Sequence, residues 1–353
     1  MERFHTLAPF ALEQGEKEAL LLAKLLELIE QHRVHSPEYR NFLRGIGYDQ
    51  AKLKGLADLP FLPVRLFKTM ELKSVADADI FKVVRSSGTT GLPSVIYLDK
   101  TTALLQQKVL TRILADHLGK ARLPLLVVDT PDLLKDRSAI SARAAAVIGL
   151  SFIAKKTVYA LNTDMSLNEE AVMDFLHAYG DKPFLIFGFT FMLWQHLYQS
   201  GKKFDMQNAF LMSGGGWKKL VDKSVSKAAF KDAFQENFKI TRFLEHYGMA
   251  EQTGAIYTEC ECGHLHASIY SDIIVRRTGD FSVADTGEVG AIEVISSLPH
   301  SYPGNLILTE DLGRIVGVDD CPCGRKGKYI EVLGRIKQAE LRGCSDTYAS
   351  QFS

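Results

Sequence analysis

The sequence predicts an α/β protein: a large domain built on a mostly parallel sheet, followed by a smaller β-rich portion. Three observations carry this. Between about residues 123 and 238, short apolar runs alternate with helical segments, the rhythm of strand–helix–strand units. Several of those runs end in turns rich in glycine or hydroxyl groups, and ligands of such sheets sit beyond the carboxyl ends of the strands. Past about residue 255, the runs become short and β-like, with Gly and Asp turns between them.

Taken in order, residues 12–33 read as a helix, because Leu12, Ala19, Leu22, Ala23, Leu26 and Ile29 recur at helical spacing. Residues 61–64 are extended. Residues 80–85 form a strand that ends in the loop 86–91, a second extended segment covers 94–98, and 101–118 is helical. Strands follow at 123–129, 183–188 and 209–213, with helices at 138–148, 191–200 and 218–238. The last β runs are 269–276, 290–296 and 305–308. The expected division is an α/β core over 1–255, a β-rich subdomain of that core over 256–333, and a tail over 334–353.

At 353 residues the chain has room for about two domains. Forty-two basic residues balance forty-two acidic ones, so charge makes no case for nucleic acid or an anionic membrane surface as partner. Residues 1–10 lack a basic stretch leading into an apolar core, and no apolar run reaches the roughly 18 residues that span a bilayer. The expected location is the cytoplasm. Four of the five cysteines form two Cys-x-Cys pairs, a spacing that points to metal and thiol chemistry more than to disulfides.

The loop Ser86-Ser87-Gly88-Thr89-Thr90-Gly91 carries four hydroxyls and two glycines. Such a loop can converge hydroxyls and backbone N–H groups on phosphate oxygens. It lacks the Gly-Lys-Ser/Thr ending of a Walker A loop. As a string it resembles the phosphate-binding signature of the adenylate-forming enzymes. Tyr247-Gly248-Met249-Ala250-Glu251 resembles their Tyr-Gly-x-x-Glu element. Ser213-Gly214-Gly215-Gly216 resembles their glycine turn beside the adenine, and Asp311 and Gly334-Arg335 match their ribose aspartate and hinge. The resemblance implies ATP and Mg2+ as cofactors. Tyr247 would pack on the adenine, Glu251 hold Mg2+, Asp311 bind the ribose hydroxyls, and Arg335 approach the ribose and phosphate. Gly214 and Gly215 would let the nucleotide come close to the backbone.

Two departures refine the resemblance. Glu310 stands where a glycine is usual before the aspartate. Only eighteen residues follow Arg335, too few for the C-terminal lid domain that carries the family's catalytic lysine; Lys328 and Lys337 are nearby basic residues without a motif match. The ending through Leu341-Arg342-Gly343-Cys344, together with Pro60 to Lys68, resembles the acyl-protein synthetases of the LuxE type, relatives of phenylacetate-CoA ligases. That resemblance implies activation of a carboxylic, fatty acid to an acyl-adenylate, acyl transfer to Cys344, and delivery to a partner fatty-acid or acyl-CoA reductase. It leaves room for a homo-oligomer. A thiolate attacks such a mixed anhydride readily, and Arg342 and Lys337 would favour the thiolate. Two other readings stay open: a CoA ligase that uses free CoA, and a non-catalytic nucleotide-binding subunit of a reductase complex.

Cys260 and Cys262, with Cys321 and Cys323, are spaced as structural Zn2+ knuckles, and His266 is a competing ligand. Phe184, Phe187, Phe189 and Phe191 are candidates for either acyl-pocket wall or core. His246 is a candidate pocket residue beside Tyr247.

Overall fold

The structure, a computed structural model, describes residues 6–86, 92–135, 140–215 and 225–336. Its chain divides into two compact units: residues 1–113 with 249–353, and residues 114–248. The second boundary lies close to the change in character expected at 255. The break at 113 has no counterpart in the sequence reading, because it falls inside a continuous helix.

The first unit opens with helices α1 (Gln14–His35) and α2 (Pro37–Gly45). Leu21, Leu25, Leu28 and Ile29 form the buried stripe of α1. Of the stripe expected from the sequence, Ile29 and Leu12 are buried, whereas Leu22 and Leu26 are half-buried and Ala19 and Ala23 are exposed, so the helix is turned from the face expected. A two-residue strand β1 (Leu62–Pro63) leads into one helical turn, α3 (Leu66–Thr69). Strands β2 (Ile80–Arg85) and β3 (Val95–Asp99) form an antiparallel pair around the loop, and α4 (Lys100–Leu118) follows directly.

The second unit holds the parallel sheet. Strand β4 (Leu123–Val127) is followed by β5 (Ile140–Ser141), α5 (Ala142–Ser151), β6 (Ala154–Tyr159) and α6 (Glu169–Tyr179). Strand β7 (Phe184–Phe189) runs into a short irregular helical stretch over 190–200. Strand β8 (Ala209–Gly214), helix α7 (Lys227–Phe238) and strand β9 (Arg242–Tyr247) complete the unit. The strand order is β6-β4-β7-β8-β9, all parallel. The helices start where the sequence offers a cap: the Ala144, Ala171 and Ala229 N–H groups donate to the side chains of Ser141, Asn168 and Ser226. One face of the sheet packs Phe184, Ile186 and Leu211 against Phe175 of α6 and Phe230, Phe234 and Phe238 of α7. The last three sit four residues apart, and neighbouring rings stand 4.5 and 5.3 Å apart, so they form one ridge on the helix.

The chain then returns to the first unit as β10 (Tyr257–Glu259), β11 (Leu265–His266), β12 (Ser271–Arg276), β13 (Gly290–Ser296), β14 (Leu306–Val318) and β15 (Lys328–Arg335). Here the order is β12-β13-β14-β15-β11-β10, antiparallel throughout, with β1 added in parallel to β14. Strand β14 is much longer than the segment 305–308 expected for it. Among the described residues, no helix is long and apolar enough to cross a membrane.

His32 of α1 ties the loop between β13 and β14 into this unit. One ring nitrogen contacts Ser74 Oγ at 2.7 Å, and the other contacts Asn305 Oδ1 at 2.8 Å. Burial holds its pKa down at about 4, below the ordinary value near 6.5. A neutral imidazole is therefore required in the fold. Its contribution is complete above the unfolded pKa and is lost as pH falls through the folded one, by about 3 kcal/mol in total. Denaturant unfolding near pH 7 and near pH 4 should show a smaller acid loss in His32→Gln than in the unaltered protein.

Candidate functional site

The two units carry separate groups of the expected site residues. In the second unit, the carboxyl ends of β7, β8 and β9 lie in register, with Phe189 beside Gly214 and Gly214 beside His246. The imidazole of His246 fills the space over Gly214, so a β-carbon there would collide with the ring. Gly215 has φ +72°, and a β-carbon on it would stand 2.8 Å from Phe189 Cδ1. These two glycines therefore accommodate His246 and Phe189. His246 Nδ1 lies 2.8 Å from Ser213 O, which places the proton on Nδ1. Burial lowers its pKa to about 4, so the ring is neutral. Tyr247 is the last residue of β9, and Gly248 follows it at the end of this unit. Phe184 and Phe187 are fully buried, whereas Phe189 and Phe191 pack at the edge of the core.

In the first unit, Glu251 sits on a single turn, Ala250–Gln252, and is 5% exposed. Burial raises its pKa, opposed by Ser94, Lys68 and Arg335. Because burial outweighs these neighbours, the carboxylate is not fully compensated and favours a bound proton or cation. Lys68 and Ser94 act on Glu251, and the sequence reading did not single them out. Lys68 belongs to α3, and its only sequence signal was membership of the Pro60–Lys68 stretch. Asp311 on β14 and Arg335 on β15 are register partners, with Arg335 Nε 3.7 Å from Asp311 Oδ1. Glu310, in place of the usual glycine, pairs with Arg65. Ser86 and Ser94 close the base of the loop: Ser86 N donates to Ser94 O at 3.1 Å, and Ser94 N to Ser86 Oγ at 2.8 Å. Lys328 is engaged elsewhere, with Asp272 at 3.2 Å and Glu18 at 3.3 Å. Ser87, Gly88, Thr89, Thr90, Gly91, Gly216, Lys337, Arg342 and Cys344 lie outside the described residues.

The cysteines assemble differently from their spacing. Cys260, His266, Cys321 and Cys323 place their ligand atoms within 4.8 Å of one another. Cys260 Sγ and Cys321 Sγ are 3.9 Å apart, and Cys323 Sγ is 3.4 Å from His266 Nε2. Cys262, expected as a ligand, is exposed and outside this group. The tight turn through Gly263, with φ +81°, turns the chain back into β11 and brings the buried His266 inward instead. Burial raises the Cys260 and Cys321 thiols, a cost that a bound cation would reverse. Three sulfurs and one imidazole suit tetrahedral Zn2+. If Zn2+ fills this set, His266→Ala should lose the metal while Cys262→Ser keeps about one equivalent. Metal analysis of the purified variants decides between the two sets of ligands.

The fold is that of the adenylate-forming ligases. A 2-hydroxyisobutyryl-CoA ligase in its thioesterification state aligns with a TM-score of 0.72 at 18% identity, covering 94% of this chain and 70% of that one. The open conformation of a 2-hydroxyisobutyryl-CoA ligase gives 0.69 at 17% identity, covering 94% and 77%. ATP-bound MatB from Rhodopseudomonas palustris gives 0.52 at 17% identity over 74% of this chain, which spans 49% of MatB. By sequence, the long-chain-fatty-acid–luciferin-component ligase of Vibrio harveyi is 22% identical over 364 residues, 96% of this chain and 90% of that enzyme. The enzyme of the same name from Aliivibrio fischeri is 22% identical over 334 residues, 90% and 85% of the two chains. The model of the acyl-protein synthetase family, LuxE, matches residues 4–353. The chain belongs to that family, and it is an acid ligase of the AMP-forming class.

Proposed function

We propose that the protein activates a carboxylic acid of the fatty-acid class with ATP and transfers the acyl group to its own Cys344. The observation that supports this best is the buried carboxylate of Glu251 set beside Ser94, Lys68 and Arg335. A carboxylate in that setting, held by a rigid unit, suits a Mg2+–nucleotide phosphate group. When bound, Mg2+ would neutralise charge on the pyrophosphate leaving group.

The chain's own residues divide the work. The loop Ser86–Gly91 holds the phosphates, and Lys68 and Arg335 add positive charge beside them. Asp311 takes the ribose hydroxyls. The acid's carboxylate oxygen attacks the α-phosphorus, and pyrophosphate leaves. The Cys344 thiolate then attacks the acyl carbonyl. The mixed-anhydride bond breaks, and AMP departs with the electron pair. The thioester is passed to a partner reductase. Zn2+ at Cys260, His266, Cys321 and Cys323 is structural, because four protein ligands leave no open position.

Intact-protein mass spectrometry after incubation with ATP, Mg2+ and a panel of acids tests this. A mass increase of one acyl group, together with acid-dependent ATP–pyrophosphate exchange, is expected. Exchange that produces acyl-CoA and never labels the protein would assign free CoA as acceptor. Absence of exchange would leave only nucleotide binding.

A further inference from the structure

Glu251 stands on one short helical turn, which has little internal hydrogen bonding to hold it in place. Its position is fixed by neighbours. Tyr302 Oη donates to Glu251 O at 2.8 Å. Gln252 Nε2 reaches Gly304 O at 2.8 Å and Asn305 O at 3.0 Å. On the other side, Thr253 Oγ1 donates to Gln106 Oε1 at 2.7 Å, and Gln106 Nε2 donates to Tyr302 Oη at 3.4 Å. Gln106 therefore grips both flanks of Glu251: Thr253 directly, and the Glu251 carbonyl through Tyr302. Gln106 and Tyr302 are both buried. Gly254, with φ +92°, permits the close approach, since a β-carbon there would stand 2.7 Å from Gln106 Cα.

Gln106 belongs to α4, which begins at Lys100 immediately after β3. Strand β3 starts beside Ser94, whose backbone and that of Ser86 close the base of the loop. One continuous run, Ser94 to Gln106, thus joins the loop base to the grip on Glu251. We infer that Gln106 is a positioning residue that sets the Glu251 carboxylate at a fixed place relative to the base of the phosphate loop. It acts through Thr253 and Tyr302. An amide suits the task because it supplies a donor and an acceptor at once. The inference rests on the reading of Glu251 as the Mg2+ ligand.

Gln106→Met and Thr253→Val keep side-chain volume and remove the link from either end. Each should raise the Mg2+ concentration for half-maximal acid-dependent ATP–pyrophosphate exchange by about tenfold, the scale of partners that orient metal ligands. The exchange rate at saturating Mg2+ should stay within about twofold, because only metal binding is weakened. The double variant should match Gln106→Met alone, since Gln106→Met already removes the partner that Thr253→Val loses. A fall in rate at every Mg2+ concentration with unchanged half-saturation would show a purely structural role and overturn the inference. If Gln106→Met does not fold, Thr253→Val decides by the same readout. An unaltered protein with no Mg2+-dependent exchange overturns the reading of Glu251 and this inference together. Exchange in the unaltered protein with unshifted variants overturns this inference alone.

Discussion

Replacing Cys344 by serine is expected to abolish acyl labelling of the protein while acid-dependent ATP–pyrophosphate exchange stays within about twofold, because the nucleophile acts only after the adenylate has formed. The two half-reactions use different groups. In the proposed reaction, adenylation would draw on Glu251, Lys68, Arg335 and Asp311, which lie within one unit. Acyl transfer needs a nucleophile that attacks at neutral pH, and a serine hydroxyl without an adjacent base is far weaker than a thiolate. The stranded adenylate should then remain bound or hydrolyse slowly. The measurement is intact mass with labelled acid and ATP, followed by hydroxylamine, which cleaves a thioester. A label of equal size on Cys344→Ser would exclude this acceptor and direct attention to the other thiols. Cys262 is the exposed one among the described residues.

How much of this could be read from the sequence depended on how local the cause was. Three of the five described parallel strands were legible because strands buried on both faces are continuous apolar runs: 183–188 was expected, and Phe184–Phe189 is observed. Strands β6 and β9, which carry Lys155, Lys156, Arg242 and Glu245, were not expected. Strand β15 was missed because Lys328, Glu331 and Arg335 interrupt its apolar pattern. Its partner strands bury Tyr329 and Ile330 regardless. The long strand β14 was cut short for the same reason at Glu310 and Asp311.

The site residues divide along the same line. Motif strings gave Glu251, Asp311 and Arg335 as candidates, yet no string could give Lys68. Its role as neighbour of Glu251 arises from pairing of β1 with β14, which seats α3. The glycine turn was read for its backbone freedom. What fills the space over Gly214 and Gly215 is set by the register of three parallel strands, a long-range fact. The cysteine spacing likewise pointed to a cluster able to hold a metal and to three of its members, Cys260, Cys321 and Cys323, but left Cys262 and His266 as competitors for the fourth place. Pairing of β11 with β10 and β15 brings His266 inward, and no spacing rule contains that.

Glu251→Gln should reduce acid-dependent ATP–pyrophosphate exchange by on the order of a hundredfold, the scale expected when one preorganised charge is removed from a buried site. The glutamine keeps shape and loses charge, so the fold should persist. The surroundings predict more than a loss of rate. Burial raises the Glu251 pKa, so in the metal-free protein a proton competes for this carboxylate at higher pH than for an exposed glutamate. Mg2+ binds only the ionised form. The acid limb of the pH–rate profile should therefore move to lower pH as Mg2+ is raised, because metal displaces the proton. In Glu251→Gln no group remains for that exchange, and the acid limb should no longer respond to Mg2+. Profiles of exchange against pH at low and high Mg2+ distinguish this from simple damage to the site. Damage would lower both profiles without uncoupling them. An acid limb that ignores Mg2+ in the unaltered protein would remove Glu251 from the metal and leave it a buried structural carboxylate.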